Sequence, residues 1–131
     1  MNPISVLLVD DSSTFLNIAT QFLQAHDDLT VVGAVEEGEE ALVQAKSLRP
    51  HVVLVDLTMP NLPGLEVIPR LRRMLPETGI IALTLHNTDA YRQAALAAGA
   101  DDFIPKGRMS ADLLPAIRRV VRGGRRDGEI R

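Results

Sequence analysis

The feature that most narrows the folds open to this chain is an alternation: short runs of Val, Ile, Leu and Ala recur between segments whose apolar residues follow a helical period. The runs cover residues 4–9, 29–35, 52–55, 80–85 and, shortest, 102–104. Most are nearly continuous in apolar residues instead of alternating with polar ones, as expected of strands covered on both faces. Such strands belong to a parallel sheet wrapped by crossover helices.

Between the runs, Phe15, Ile18, Ala19 and Phe22 recur at i, i+3, i+4 and i+7, as do Tyr91, Ala94, Ala95 and Ala98, and each set predicts one buried helical stripe. Ala41, Leu42, Ala45 and Leu48 predict a helix ending before Pro50, and Leu65, Ile68, Leu71 and Leu75 one ending before Pro76. Leu113, Leu114, Ile117, Val120 and Val121 predict a fifth, capped by Ser110 and stopped by Gly123 and Gly124. Pro69 and Pro115 fall inside two of these segments, so those helices either begin later or bend. The pattern amounts to five strands and five helices.

At 131 residues the chain buries one good core, and a single domain is expected over residues 1–122, with 123–131 a tail or truncated linker. Without cysteine there is no disulfide framework or thiolate metal site, so metal chemistry must use oxygen or histidine. No apolar stretch approaches membrane-spanning length, and a soluble, cytoplasmic protein is expected. A net charge of −3 argues against a general nucleic-acid surface. Arg118, Arg119, Arg122, Arg125, Arg126 and Arg131 crowd the C-terminus, where a solvated helix end is favoured over a phosphate-binding or docking patch.

In open α/β sheets the usable crevice lies outside the carboxyl ends of the strands. Asp10 and Asp11 follow the first run, Asp56 the third, Thr84 lies near the end of the fourth and Lys106 comes just after the fifth, so separate segments deliver polar groups to one rim. Carboxylates meeting there repel by about 4 kcal/mol for a pair at about 4 Å and an effective dielectric of about 20. A hard cation such as Mg²⁺ relieves that repulsion, Lys106 adds a fixed positive charge, and Thr84 offers a hydroxyl to an anionic oxygen. The arrangement suits phosphoryl transfer onto a carboxylate, with Asp56 as nucleophile and the acidic pair Asp10-Asp11 better suited to the metal.

These residues resemble the response-regulator receiver domain of two-component signalling. The resemblance rests on Asp10-Asp11, on Asp56-Leu57-Thr58-Met59-Pro60 with Gly64, on Ile81-Ala82-Leu83-Thr84, and on Phe103-Ile104-Pro105-Lys106. It implies a flavodoxin-like, doubly wound sheet of strand order 2-1-3-4-5. It further implies a switch, not a conventional enzyme: Asp56 accepts a phosphoryl group from a sensor histidine kinase or small phosphodonor and catalyses its own gain and loss of that group. Asp11, Asp56 and the Thr58 carbonyl would ligate Mg²⁺, with Asp10 acting through water. Lys106 would pair with the phosphoryl oxygens, and Thr84 and Phe103 would act as switch residues, read out on the fourth helix, fifth strand and fifth helix. The segment from Asp112 to Gly123 is similar to receivers preceding a helix-turn-helix output domain, so transcription regulation, homodimerisation on phosphorylation and DNA contact only through such a domain are expected. A stand-alone receiver acting through protein contacts is the alternative.

Pro63 and Gly107 stand where relatives commonly carry a small polar residue and a proline, which leaves the loop geometry open but not the chemistry. Thr58 and His86, two residues beyond Asp56 and Thr84, are candidates for tuning hydrolysis. His26 and His51 fall away from the rim and are expected to be turn or surface histidines. Asp10-Asp11 alone would suit a helix N-terminus, and Asp101-Asp102 lies at the opposite sheet end, where a turn accounts for it. A flavodoxin-like cofactor binder shares the sheet but needs a phosphate-cradling loop where Asp10-Asp11 would repel phosphate. A hydrolase working through an aspartyl phosphate and a pseudo-receiver that signals by binding alone are the remaining rivals.

Overall fold

A computed structural model describes residues 2–130, with side chains described for residues 2–121. The elements alternate as β1 (Ile4–Val9), α1 (Ser13–Gln24), β2 (Leu29–Val35), α2 (Gly38–Leu48), β3 (Val52–Asp56), α3 (Gly64–Met74), β4 (Gly79–Thr84), α4 (Asp89–Ala98), β5 (Asp102–Pro105), a 3₁₀ turn (Lys106–Arg108) and α5 (Met109–Ile130). All strand pairs are parallel, in the order β2-β1-β3-β4-β5, as the sequence reading expected.

Side chains that alternate along each strand feed two cores. Val6, Leu8, Val52, Leu54, Ile81 and Leu83 pack under α1 and α5, whereas Leu7, Val9, Val53, Val55, Ile80 and Ala82 pack under α2, α3 and α4. Burial on both sides is why the strands read as unbroken apolar runs.

The helical stripes depart from expectation in phase. Leu16, Ala19 and Leu23 form the buried line of α1, while Ile18 is 53% exposed. Only Ala95 of α4 is fully buried, with Ala94 facing solvent and Tyr91 half-buried, and Leu48 of α2 is likewise exposed. The spacing rule fixes a period, but two adjacent phases share most of their residues when apolar residues are abundant.

Strand ends also shift: β3 includes Asp56, β4 runs from Gly79 to Thr84 instead of 80–85, and β5 extends to Pro105. Pro69 and Pro115 both lie inside their helices, so a later start is excluded. Pro115 sits on the exposed side of α5, where the carbonyl it leaves unbonded, that of exposed Ala111, can take water. Ser110 does not cap α5, because the 3₁₀ turn runs directly into Met109. Nor does α5 stop at Gly123-Gly124; glycine in a helix costs about 1 kcal/mol and does not forbid it. The side chains of Arg122, Arg125, Arg126 and Arg131 lie outside those described, whereas Arg118 and Arg119 pair with Asp28 and Asp102.

The sheet end opposite the rim is closed by Arg72 of α3. Its Nε and Nη2 donate to Gly99 O at 3.2 and 2.8 Å, Nη1 donates to Pro76 O and Thr78 O at 3.0 and 2.8 Å, and Nη2 also donates to Asp101 Oδ2 at 2.8 Å. Every guanidinium N–H is thereby used. Asp101 Oδ2 also accepts the Ile80 N–H, so one side chain ties α3, the start of β4 and the α4–β5 turn. A lysine has neither the fork nor the number of donors. Arg72→Lys should lower the unfolding free energy by about 2 kcal/mol in urea denaturation; a loss below about 0.5 kcal/mol would mean that water replaces these contacts at no cost.

Candidate functional site

Strand register assembles the acidic cluster. Val9 pairs with Val55, so the next residues, Asp10 and Asp56, emerge side by side from adjacent strand ends. In both strands the residue two places earlier packs under α1 and α5, and this period of two aims both carboxylates toward that side. The Asp10 N–H donates to Val35 O, and the Leu57 N–H to Leu83 O, which holds the backbone on either flank of the pair.

Asp10 and Asp56 are buried, at 1% and 3% exposure, whereas Asp11 is exposed. Among the described residues, these three supply carboxylate oxygens that all lie within 4.8 Å of one another. Lys106, on the 3₁₀ turn after β5, brings Nζ to 2.6 Å from Asp10 Oδ2 and 3.7 Å from Asp56 Oδ1. The closer contact is an ion pair by distance but lacks hydrogen-bond alignment, leaving buried Asp10 Oδ2 without an oriented donor. An oxygen in that condition, beside two other carboxylates, fits a hard divalent cation. Asp10 Oδ1 is satisfied separately by the Ser12 N–H at 2.9 Å.

The loop after β3 is shaped by Gly64 at the start of α3. A Cβ there would stand 2.2 Å from Asp56 O and 2.8 Å from Leu57 Cα, so only glycine lets the helix close over the backbone of Asp56. Asn61, at φ 70°, makes the tight part of this loop. Pro63 precedes α3 without a side-chain cap, and Gly107 lies in open space, so both departures from the family pattern are accommodated.

Thr84 is paired with Pro105, one step beyond the Asp56–Leu83 pair, and is fully buried. Its Oγ1 accepts the His86 N–H at 2.8 Å, tying it to the β4–α4 loop. His86 is exposed and its ring stacks on Tyr91 at 5.3 Å, while Thr58 is also exposed. Phe103 is buried, at 4%, in the core beneath α2, α3 and α4. The structure thus gathers Asp10, Asp11, Asp56 and Lys106 at one point and puts Thr84 on the adjoining strand. Phe103 is set inside the core.

His26 and His51 do lie elsewhere, and both are structural. His26 Nδ1 bonds Phe22 O at 3.1 Å, and the His51 ring accepts the Ser5 N–H at 2.9 Å. Asp101 and Asp102 are engaged by Arg72 and Arg119. The site residue missed in the sequence is Phe15, whose ring centroid lies 4.4 Å from Lys106 Nζ. Counting four residues from Asp11 puts Phe15 in the first turn of a helix opening at the rim, a signal hidden by its membership of an apolar stripe.

Burial and the neighbouring Asp10 charge raise the Asp56 carboxyl from 3.8 to about 6, with Lys106 and a hydrogen bond from the Thr58 backbone opposing and Asp11 adding a smaller rise. A carboxyl raised in this way weakens the fold when ionised: the penalty is complete above the folded value and vanishes below the unfolded one. At about 1.4 kcal/mol per pKa unit, it amounts to about 3 kcal/mol. In metal-free buffer, parent stability measured against Asp56→Asn should therefore rise by up to about 3 kcal/mol as pH falls from about 7 to about 4. A difference that stays constant over this range in urea denaturation contradicts the shift.

The family model described as the response regulator receiver domain matches residues 6–118. The chain is 39% identical over 122 residues to the response regulator GacA of Pseudomonas protegens, covering 93% of this chain and 57% of that protein. It is 33% identical over 120 residues to the response regulator protein VraR of Staphylococcus aureus, covering 92% and 57%. The chain thus spans little more than half the length of these relatives. Among solved structures it is similar to the response regulator domain of Thermotoga maritima CheB, with a TM-score of 0.86, 31% identity and coverage of 92% and 98%. The receiver domain of NarL from Mycobacterium tuberculosis superposes with a TM-score of 0.88 at 27% identity, covering 94% and 99%.

Proposed function

Because the chain belongs to the response regulator receiver domain family, we propose that it is a cytoplasmic switch in which Asp56 is phosphorylated by a sensor histidine kinase or a small phosphodonor. The observation that carries this reading is a buried carboxylate, Asp56, with two further carboxylates within 4.8 Å and a lysine ammonium at 3.7 Å. Asp11, Asp56 and the Thr58 carbonyl would hold Mg²⁺, and Asp10 would reach it through water. When bound, Mg²⁺ would offset the carboxylate charges and those of the approaching phosphoryl oxygens.

A carboxylate oxygen of Asp56 attacks phosphorus in line with the leaving group. The new bond is O–P; the bond that breaks joins phosphorus to the donor, an imidazole nitrogen in a histidine kinase, which departs with the bonding electrons and takes up a proton. Lys106 neutralises the phosphoryl oxygens from one side, moving from Asp10 and toward the new anion. Thr84 turns its hydroxyl to another phosphoryl oxygen, which costs the His86 N–H its present acceptor and disturbs the β4–α4 loop. That disturbance reaches α4, β5 and α5, where partner choice is read out. Homodimerisation and control of transcription through a DNA-binding output domain belong to the same proposal, supported by the similarity to GacA and VraR.

Incubating the parent chain with a small phosphodonor and Mg²⁺ should raise its intact mass by one phosphoryl group, and Asp56→Asn should gain nothing. An unmodified parent, or equal gain by both, rules out Asp56 as the acceptor. Thr58 and His86, both exposed and two residues beyond Asp56 and Thr84, would flank the phosphoryl group, so the double substitution Thr58→Ala, His86→Ala should change the dephosphorylation rate by about threefold, under 1 kcal/mol of barrier. An unchanged decay curve removes both residues from that role.

A further inference from the structure

Lys106 is held by more than its two carboxylate neighbours. Its side chain is 10% exposed, and Nζ lies over the Phe15 ring, with the centroid 4.4 Å away. Phe15 is fixed in turn by the helix start it belongs to: its N–H donates to the Ser12 hydroxyl at 3.1 Å, and the Ser12 N–H donates to Asp10 Oδ1 at 2.9 Å. Asp10 Oδ2 returns to Lys106 at 2.6 Å, closing a circuit of Asp10, Ser12, Phe15 and Lys106. A single segment after β1 therefore supplies both an acidic partner of the lysine and the ring that backs it.

We infer that Phe15 is a positioning residue that holds the Lys106 ammonium toward the Asp56 carboxylate through the face of its ring. This rests on the phosphoacceptor reading of Asp56. The physical reason lies in what a ring offers and a carboxylate does not. The quadrupole attracts the cation, most effectively where water is excluded, yet leaves its full charge and its N–H donors free for an incoming anion. A third carboxylate in that place would bind the ammonium more tightly and compete with the phosphoryl oxygens. A leucine would fill the space but provide no attraction, so a Lys106 ammonium released from Asp10 would swing into solvent. The ring thus lets Lys106 leave Asp10 for the phosphoryl group without leaving the site.

The test replaces Phe15 in the 131-residue chain with phenylalanines carrying one, two and three ring fluorines, which keep the shape but drain charge from the ring face. Phosphorylation by acetyl phosphate at saturating Mg²⁺ is followed by intact mass. The rate should fall stepwise along the series, reaching roughly fivefold at the end, while Phe15→Tyr stays within about twofold of the parent because its ring face is kept. Phe15→Leu should match the most fluorinated member. A flat series overturns the inference, since a residue that only packs α1 is indifferent to ring electronics, and so does a Phe15→Leu rate equal to the parent's. Failure of the parent itself to gain mass points instead to the acceptor reading of Asp56, which separates the two outcomes.

Discussion

Two buried carboxylates at the ends of neighbouring parallel strands are the constraint on which this molecule turns. Parallel pairing of β1 with β3 leaves no freedom: with Val9 opposite Val55, Asp10 and Asp56 must emerge together. Like charges so placed are costly in a low-dielectric setting, and most of the surrounding arrangement reduces that cost. Lys106 stands between the pair, a backbone N–H serves Asp10 Oδ1, and the raised pKa of Asp56 records what is left uncompensated. The remaining electrostatic strain favours the arrival of further positive charge, which is the condition a metal-dependent phosphoacceptor needs.

The two ends of the sheet serve opposite purposes. At the amino end, Arg72 uses every donor and Asp101 accepts from both Arg72 and the backbone of β4, so that end is saturated. At the carboxyl end, Asp10 Oδ2 lacks an oriented donor and the Thr84 hydroxyl is engaged by the backbone of a single loop residue, His86. Unfinished hydrogen bonding is tolerable where a ligand or a changed conformation will complete it. Helix α4, with Ala95 its one fully buried residue, lies next to that unfinished end. A helix so lightly packed would respond readily to the loop displacement proposed above.

Much of this could be read before any coordinates. Unbroken apolar runs announced strands buried on both faces, and the aspartates, threonine and lysine stood at or just past their carboxyl ends, so the rim followed from the rule that crevices open there. Helix phases were less legible: Ile18 and Ala94 satisfied the spacing of their stripes yet face solvent, and in α1 the buried line Leu16, Ala19 and Leu23 is the phase one residue on from Phe15, Ile18 and Phe22. The start of α5 was misplaced for another reason. Ser110 is a good capping residue by type, but a 3₁₀ turn had already begun at Lys106 and carried the chain into the helix.

Sequence by itself determined the order of elements, the two-sided burial of the sheet and the identities of the groups at its rim, since these depend on residue type and on periods of two and 3.6. Tertiary structure alone decided which groups touch. Lys106 lies nearer Asp10 than Asp56, Phe15 backs the lysine while still packing against the core beneath α1, and Arg72 gathers three segments at the far end. Apart from the short reach of Arg72 to Thr78, these contacts join residues 27 to 96 positions apart in the chain, and no local period encodes such distances. They arise from strand register and from the way helices settle on the two faces of the sheet.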